Sequence, residues 1–322
     1  MQAQVIKSFG NYTQFAKMDL DKPVIKPGHL IVKVMATSVN PVDCKIRAGK
    51  YPTISPEFPS VLHGDMAGIV VEVGDQVNDF AVGDEIYGCA GGVKGLGGAL
   101  AEFMLVDAKL VAKKPTTLSM TEAAALPLVA ITAWEALFDK ANIKAGQKVL
   151  IHAGTGGVGH IAVQLAKWAG ADVYTTISSP EKAEIVHALG IKNTINYRTE
   201  EIPANHFDMV FDTVGGENLD KSLLAVAPYG NVVSIQANAS HHLGNLYFKT
   251  ASLHTVFMLL PMLSNNKREH HGEILKQVAA LVDKGLIKPI LDERIFTLDE
   301  VGEAHARLES GKAIGKVVIA IQ

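Results

Sequence analysis

At 322 residues the chain is too long for one ordinary core and too short for three, which predicts two domains. Hydrophobic residues make up 48% and charged residues 20%, a mix that excludes a disordered chain and supplies enough apolar surface to bury. Its 30 Lys and Arg face 33 Asp and Glu for a formal charge of -3 with no like-charged run, so no nucleic-acid partner is expected.

The N-terminal stretch "MQAQVIKSFG" has no basic segment leading into an apolar core and cleavage site; it reads as mature sequence opening on a strand, and a cytoplasmic address is expected. The first third alternates on a period of two, with short strands at "HLIVKVMATSVN", "MAGIVVEVG" and "GDEIYG" punctuated by Gly, Pro and Asp turns. The glycine tract from Gly91 to Gly98 reads as a mobile surface loop, with a lid as the alternative. From about Leu118 the pattern changes: "SMTEAAALPLVAITAWEALF" is rich in helix formers. Strands at "KVLIHA", "DVYTTI", "NTINY", "FDMVFDTV" and "GNVVSIQ" then alternate with helices up to about Phe257, as in a buried parallel sheet. The apolar "SLHTVFMLLPML" is interrupted by His and Pro and too short to span a membrane, so no membrane embedding is expected. The remaining stretch holds two amphipathic helices between short strands and is expected to return to the first domain.

In "HAGTGGVGHIAVQLAKWAGA", Gly154, Gly156 and Gly159 fit GxGxxG directly after the strand "KVLIHA". Val158, Ile161, Ala162, Leu165, Ala166 and Ala169 then mark one face at helical spacing. A strand running into a glycine turn and a helix gathers free backbone N–H groups and the positive end of the helix dipole at one spot, where a pyrophosphate binds. The expected cradle is Gly154, Thr155, Gly156, Gly157, Val158 and Gly159.

An acidic residue about 20 positions on would hold the ribose of NAD. The sequence "YTTISSPEK" offers Ser178, Ser179 and Lys182 instead, which suit a 2'-phosphate and favour NADPH over NADH; helix capping by the serines ahead of Pro180 is compatible with that role. Val214 and Gly215 after the fourth strand, and Ile235 and Gln236 after the fifth, are expected to line the cofactor, because ligands of open sheets lie beyond the carboxyl ends of the strands.

Only two cysteines, Cys44 and Cys89, occur, too few for a disulfide framework or a four-thiolate zinc site, and reduced thiols are expected. The pairs His241–His242 and His270–His271 point apart and read as exposed polar residues, not metal ligands.

Together "NPVDCKIRAGKYP", "HGDMAGIVVEVG", "VGDEIYG", "AAALPLVAITAWEAL", "HAGTGGVG", "FDTVGG" and "GKAIGKVVI" resemble the medium-chain dehydrogenase/reductase superfamily over nearly the whole chain, and within it the zinc-independent quinone oxidoreductases and enone reductases. The resemblance implies an α/β architecture, a GroES-like β-rich catalytic domain (1–122 and 263–322) split around a Rossmann domain with a doubly wound parallel sheet (123–262), with the active site in the cleft between them. Zinc-dependent members carry a ligand Cys near the first motif and a ligand His in "GHE". Asn40 and Gly64 stand at those positions here, with Cys44 and His63 out of register, so no metal site is expected.

The resemblance also implies NADPH-dependent hydride transfer to a quinone or an α,β-unsaturated carbonyl. Asn40 and Tyr51 would bind and polarise the acceptor oxygen, with Tyr51 also able to relay a proton; Thr132 would approach the nicotinamide, and Tyr197 would lie beside the adenosine 2'-phosphate. Lys45 stands where the family can show a second aromatic, and Lys316 reads as a solvated surface lysine, with a reach into the cleft as the alternative. The implied partners are a small-molecule substrate and a second copy of the chain, paired through the edge of the Rossmann sheet. The alternatives are a non-catalytic NADPH-binding protein of crystallin type and, less favoured, zinc-dependent alcohol oxidation.

Overall fold

In the computed structural model, which describes residues 1–321, the chain forms two units. One holds Met1–Leu128 and the residues from Leu259 onward; the other is Val129–Met258. The divisions fall at 128/129 and 258/259, not at 122/123 and 262/263, because the chain enters the second unit inside the helix Pro127–Trp134 and not through a linker.

The alternating runs of the first unit pair into a seven-stranded sheet, whose order is Leu291–Thr297, Lys316–Ala320, His29–Val39, Asp65–Val73, Glu85–Cys89 and Val111–Lys113, with Phe103–Asp107 also on His29–Val39. A second sheet of three strands carries Phe15–Asp19, Gln2–Ile6 and Ser60–Val61. Val32, Val34, Ala36, Val70, Ile86 and Val317 are all fully buried, the inward half of a period-two pattern.

Register in this sheet decides what meets at its end. Val317 lies opposite Val39, which sets Lys316 beside Asn40, and Met66 lies opposite Thr37, which sets Asp65 beside Ser38. Three segments distant in sequence therefore converge where His29–Val39 gives way to the helix Pro41–Arg47.

The second unit is one parallel sheet of six strands in the order Asn193–Asn196, Asp172–Ile177, Lys148–Ile151, Phe207–Asp212, Val226–Ser234 and Ser252–Thr255, flanked by helices. This is the doubly wound dinucleotide-binding order. The sixth strand was not among the five expected. It is a four-residue edge strand, with Ser252 and Thr255 exposed, and lacks the continuous apolar run of a strand buried on both faces. The helix Gly157–Trp168 buries Ile161, Ala162, Val163, Leu165 and Ala166 completely, about 2 kcal/mol for a leucine side chain.

Other local expectations change. The helix-forming stretch breaks into Met120–Ala124, Pro127–Trp134 and a π-helical Glu135–Lys140, since Pro127 has no N–H and must start a helix, not continue one. The glycine tract is not a mobile surface connection: Gly91, Gly92, Val93 and Gly98 are buried, and Ala90, Lys94 and Ala99 donate backbone hydrogen bonds to Gly64, Ile54 and His63. Only its tip, around Lys94, Gly95 and Gly97, is exposed. The histidine pairs are not uniformly exposed either, because His271 is fully buried and the His241 ring sits 3.0 Å from Asp220 Oδ1.

Candidate active site

The glycine motif sits where its spacing predicts. Lys148–Ile151 ends, the chain turns through Ala153 at φ 54°, and Gly157–Trp168 begins with Gly156 as its N-cap. His160 N–H closes the first helical bond on the Gly156 carbonyl at 3.0 Å, so the amides of Gly157, Val158 and Gly159 precede the intrahelical ladder. A Cβ on Gly159 would lie 2.0 Å from the Ala153 carbonyl oxygen, and one on Gly154 would lie 2.4 Å from Thr175 Oγ1. Glycine at these two positions is what lets the turn, the helix and the neighbouring strand pack this closely, and the amides ahead of the helical ladder suit a pyrophosphate. Thr155 is buried within the same turn.

Hydroxyls and one imidazole pin the floor of the turn. Thr176 Oγ1 accepts from Ala153 N–H at 2.9 Å, and Thr175 Oγ1 donates to the Ile151 carbonyl at 2.6 Å. The His152 ring reaches Ser222 Oγ at 3.1 Å and Thr176 Oγ1 at 3.4 Å; burial pushes it down to about 4, against the pull of Asp212. The Asp212 carboxylate accepts from Gly215 N–H at 3.0 Å, Asn218 Nδ2 at 2.7 Å and Ser234 Oγ at 2.9 Å. These bonds fix Val214, Gly215 and the approach to Ile235 and Gln236 at the carboxyl ends of their strands, and Gly215, at φ 78°, is close-packed on Gln236. Val214 is 52% exposed.

At the end of Asp172–Ile177, Ser178, Ser179 and Lys182 are half-buried. Tyr197 N–H donates to the Ile177 carbonyl at 3.2 Å, which brings the Tyr197 backbone beside them, its side chain largely exposed. Ser179 caps the helix Pro180–Ala188, and its hydroxyl also bonds the carboxylate of Glu181, which holds that carboxyl below its usual range. A negative charge thus stands at this end of the sheet after all, in the first helical turn and not at the strand end. Thr132 is buried in the helix Pro127–Trp134.

In the first unit, Asn40 is the N-cap of Pro41–Arg47 and belongs to a buried polar cluster that the sequence did not reveal. Its Nδ2 donates to Asp65 Oδ2 at 2.8 Å, its backbone N–H donates to Asp43 Oδ2 at 2.7 Å, and its Oδ1 accepts a short hydrogen bond from Lys316 Nζ. Asp65 also accepts from Ser38 Oγ at 2.8 Å, from Leu128 N–H at 2.7 Å and, more distantly, from Lys316 Nζ at 3.4 Å. Lys316 is 3% exposed, not the solvated surface lysine expected. The available signal was its place as the first residue of the apolar strand "KVVIA", whose register against Val39 is invisible in sequence. Burial pushes the Asp43 carboxyl up to about 7, and the nearby Asp65 carboxylate adds to the rise. Tyr51 caps the short turn Pro52–Ile54, its ring 5.6 Å from the Lys45 ammonium, within cation–π range.

Behind this cluster runs a chain of buried hydrogen bonds. Arg47 Nη1 lies 3.1 Å from His305 Nδ1, His305 Nε2 lies 2.8 Å from His63 Nε2, and His63 Nδ1 lies 3.2 Å from Thr37 Oγ1, which donates to the Asp65 carbonyl at 2.6 Å. Arginine can only donate, so His305 Nδ1 accepts, His305 Nε2 carries the hydrogen given to His63 Nε2, and His63 Nδ1 carries the one given to Thr37. Burial lowers both imidazoles, His63 to about 3, with the charges of Lys316 and Arg47 acting the same way, so both rings are neutral. Cys44 Sγ lies 3.3 Å from His305 Nδ1, and burial pushes its thiol up to about 12.

These residues do not suit zinc. Asn40 and Gly64 offer neither a thiolate nor an imidazole, while the ring nitrogens of His63 and His305 are taken up by each other, Thr37 and Arg47. Among the described residues no group of three or more His, Cys, Asp or Glu is arranged to hold a metal ion. No helix among them is long and apolar enough to cross a membrane.

Comparison with known proteins identifies the family. Residues 26–116 match the alcohol dehydrogenase GroES-like domain, and residues 189–319 match the zinc-binding dehydrogenase domain. The chain is 37% identical to 2-methylene-furan-3-one reductase of Solanum lycopersicum, over 96% of this chain and 78% of that one. It is 33% identical to the chloroplastic NADPH-dependent alkenal/one oxidoreductase of Arabidopsis thaliana, over 99% and 79%. Among solved structures, the quinone oxidoreductase from Coxiella burnetii superposes with a TM-score of 0.86 at 31% identity, covering 100% of this chain and 99% of that one. With both units, the strand orders and these relatives in agreement, the chain belongs to the medium-chain dehydrogenase/reductase superfamily.

Proposed function

We propose that the protein is an NADPH-dependent, metal-independent reductase of α,β-unsaturated carbonyls or quinones. The observation that supports this most is the close-packed glycine turn at the start of Gly157–Trp168, with hydroxyls and Lys182 at the end of the neighbouring strand, in a chain 37% identical to a 2-methylene-furan-3-one reductase. The bound dinucleotide supplies the hydride.

The protein's own residues do the rest. The amides of Gly157, Val158 and Gly159 hold the pyrophosphate, and Gly154, Thr155 and Gly156 shape its bed. Ser178, Ser179, Lys182 and Tyr197 hold the 2'-phosphate; Thr132, Val214, Gly215, Ile235 and Gln236 line the cofactor. Asn40 has one Nδ2 hydrogen beyond the one given to Asp65, and it donates that hydrogen to the acceptor oxygen as negative charge develops there. Tyr51 binds the same oxygen and can pass it a proton. The side chain of Asn40 is 1% exposed, so this bond forms away from bulk water, where it is strong. The protein acts as a pair of copies joined along Ser252–Thr255, one of the two edges of the six-stranded sheet, with Tyr247 and Phe248 exposed on the helix Gly244–Lys249 that precedes it.

The test mixes purified protein with NADPH and either a small quinone or a 2-alkenal and follows loss of reduced-nicotinamide absorbance. Turnover with at least one class, and a preference for NADPH over NADH, is expected. Tight NADPH binding with no turnover would favour a non-catalytic binding role.

A further inference from the structure

We propose that Lys316 is a positioning residue that acts on the reaction through Asn40, by holding and polarising its amide. The inference rests on the reading of Asn40 as donor to the acceptor oxygen. A cation on the amide oxygen and an anion on the amide nitrogen leave one orientation of that side chain, with Nδ2 on the Asp65 side and Oδ1 on the Lys316 side. The flipped amide would set NH₂ against an ammonium and a carbonyl against a carboxylate. All three side chains are at most 3% exposed, so no water screens these contacts.

The ammonium does more than hold. Pulling electron density toward Oδ1 makes the Nδ2 hydrogens more acidic, since hydrogen bonds in series strengthen one another. Asp65 takes one of these hydrogens and is itself held by Ser38 and by the amide of Leu128, so it stays in place as an acceptor without needing Lys316. The second hydrogen receives the benefit. That benefit grows as the acceptor oxygen becomes an anion, so it belongs to the transition state more than to substrate binding and should read out in kcat more than in KM.

The test is a double-mutant cycle between Asn40→Ala and Lys316→Met, with kcat and KM for a 2-alkenal, NADPH affinity by nicotinamide fluorescence, and melting temperature. Asn40→Ala should lower kcat about a hundredfold, as loss of one transition-state donor does. Lys316→Met should lower kcat at least tenfold, with KM and NADPH affinity within about threefold of the parent, and should add little in the Asn40→Ala background. Lys316→Arg, which returns a cationic donor, should recover most of the rate. If the Met variant does not fold, Lys316→Gln, a neutral donor, enters the same cycle. Multiplying losses in the double variant, or a parent-like kcat for Lys316→Met or Lys316→Gln beside a slow Asn40→Ala, overturn the inference alone. A parent-like kcat for Asn40→Ala overturns the underlying reading of Asn40.

Discussion

The two units solve the same problem, a polar site inside an apolar fold, in opposite ways. In the second, the proposed binding groups are backbone amides, and four glycines among the six residues from Gly154 to Gly159 let turn, helix and strand pack closely around them. In the first, the polar groups are side chains from positions 40, 43, 65 and 316, enclosed and bonded to one another. A site built from backbone is written locally; a site built from side chains is written in strand register. The first kind fails by steric intrusion. The second fails by leaving a charge without its partner.

The sharpest way to break this contrast is at Arg47, 2% exposed and bonded to His305 and Glu309. Arg47→Met should destabilise the protein by about 3–5 kcal/mol, the cost of breaking a buried ionic arrangement, while NADPH affinity stays unchanged. Chemical denaturation and a binding isotherm check the two halves. The converse change is Gly159→Ala, whose Cβ would sit 2.0 Å from a carbonyl oxygen. Displacing the turn should cost about 2–3 kcal/mol, and calorimetry should show NADPH affinity falling roughly a hundredfold.

Acid should separate the units next. His63 and His305 are held below their ordinary 6.5 by burial, so the unfolded chain binds more protons than the folded one in that range. The His63 contribution is complete above about pH 6.5 and is lost as pH falls toward 3, at up to about 1.4 kcal/mol per pH unit for each proton, and that of His305 is lost in the same direction. His152 has the same sign in the second unit. Asp43 opposes them, because its raised carboxyl favours the folded state at low pH and loses that advantage between about 4 and 7. Melting temperature against pH for the parent and for His305→Gln, a change that removes the titrating ring, should show a shallower acid limb in the variant. The smallest effect is expected at Glu181, whose carboxylate shares Ser179 with the proposed 2'-phosphate site. Glu181→Gln should tighten NADPH about twofold, with the gain fading as salt rises.

The sequence carried the second unit well because its signals are short-range. Strand, glycine turn and helix follow one another within 148–168, and the serines and Lys182 fall at the next strand end. Its miss, Ser252–Thr255, is an edge strand too short and too polar to leave a pattern. In the first unit Asn40 was legible only through a family resemblance, and its partners were not. Asp65 lay inside the quoted "HGDMAG" with nothing to mark it as more than a strand residue, and Lys316 stands 276 positions from the amide it grips. His63 and His305, 242 apart, form a bonded pair that no local spacing announces.

The strand Lys316–Ala320 lies between His29–Val39 and Leu291–Thr297 in the first unit's sheet, yet it follows the whole of the second unit in the chain. During synthesis the continuous segment 129–258 can leave the ribosome and form its contacts while the sheet that began earlier still lacks two neighbouring strands. The unit begun first is thus the last to be finished, and ribosome-bound chains halted once residues 129–258 have emerged, with the last two strands still unexposed, should already hold nicotinamide dinucleotide while their N-terminal third stays open to protease.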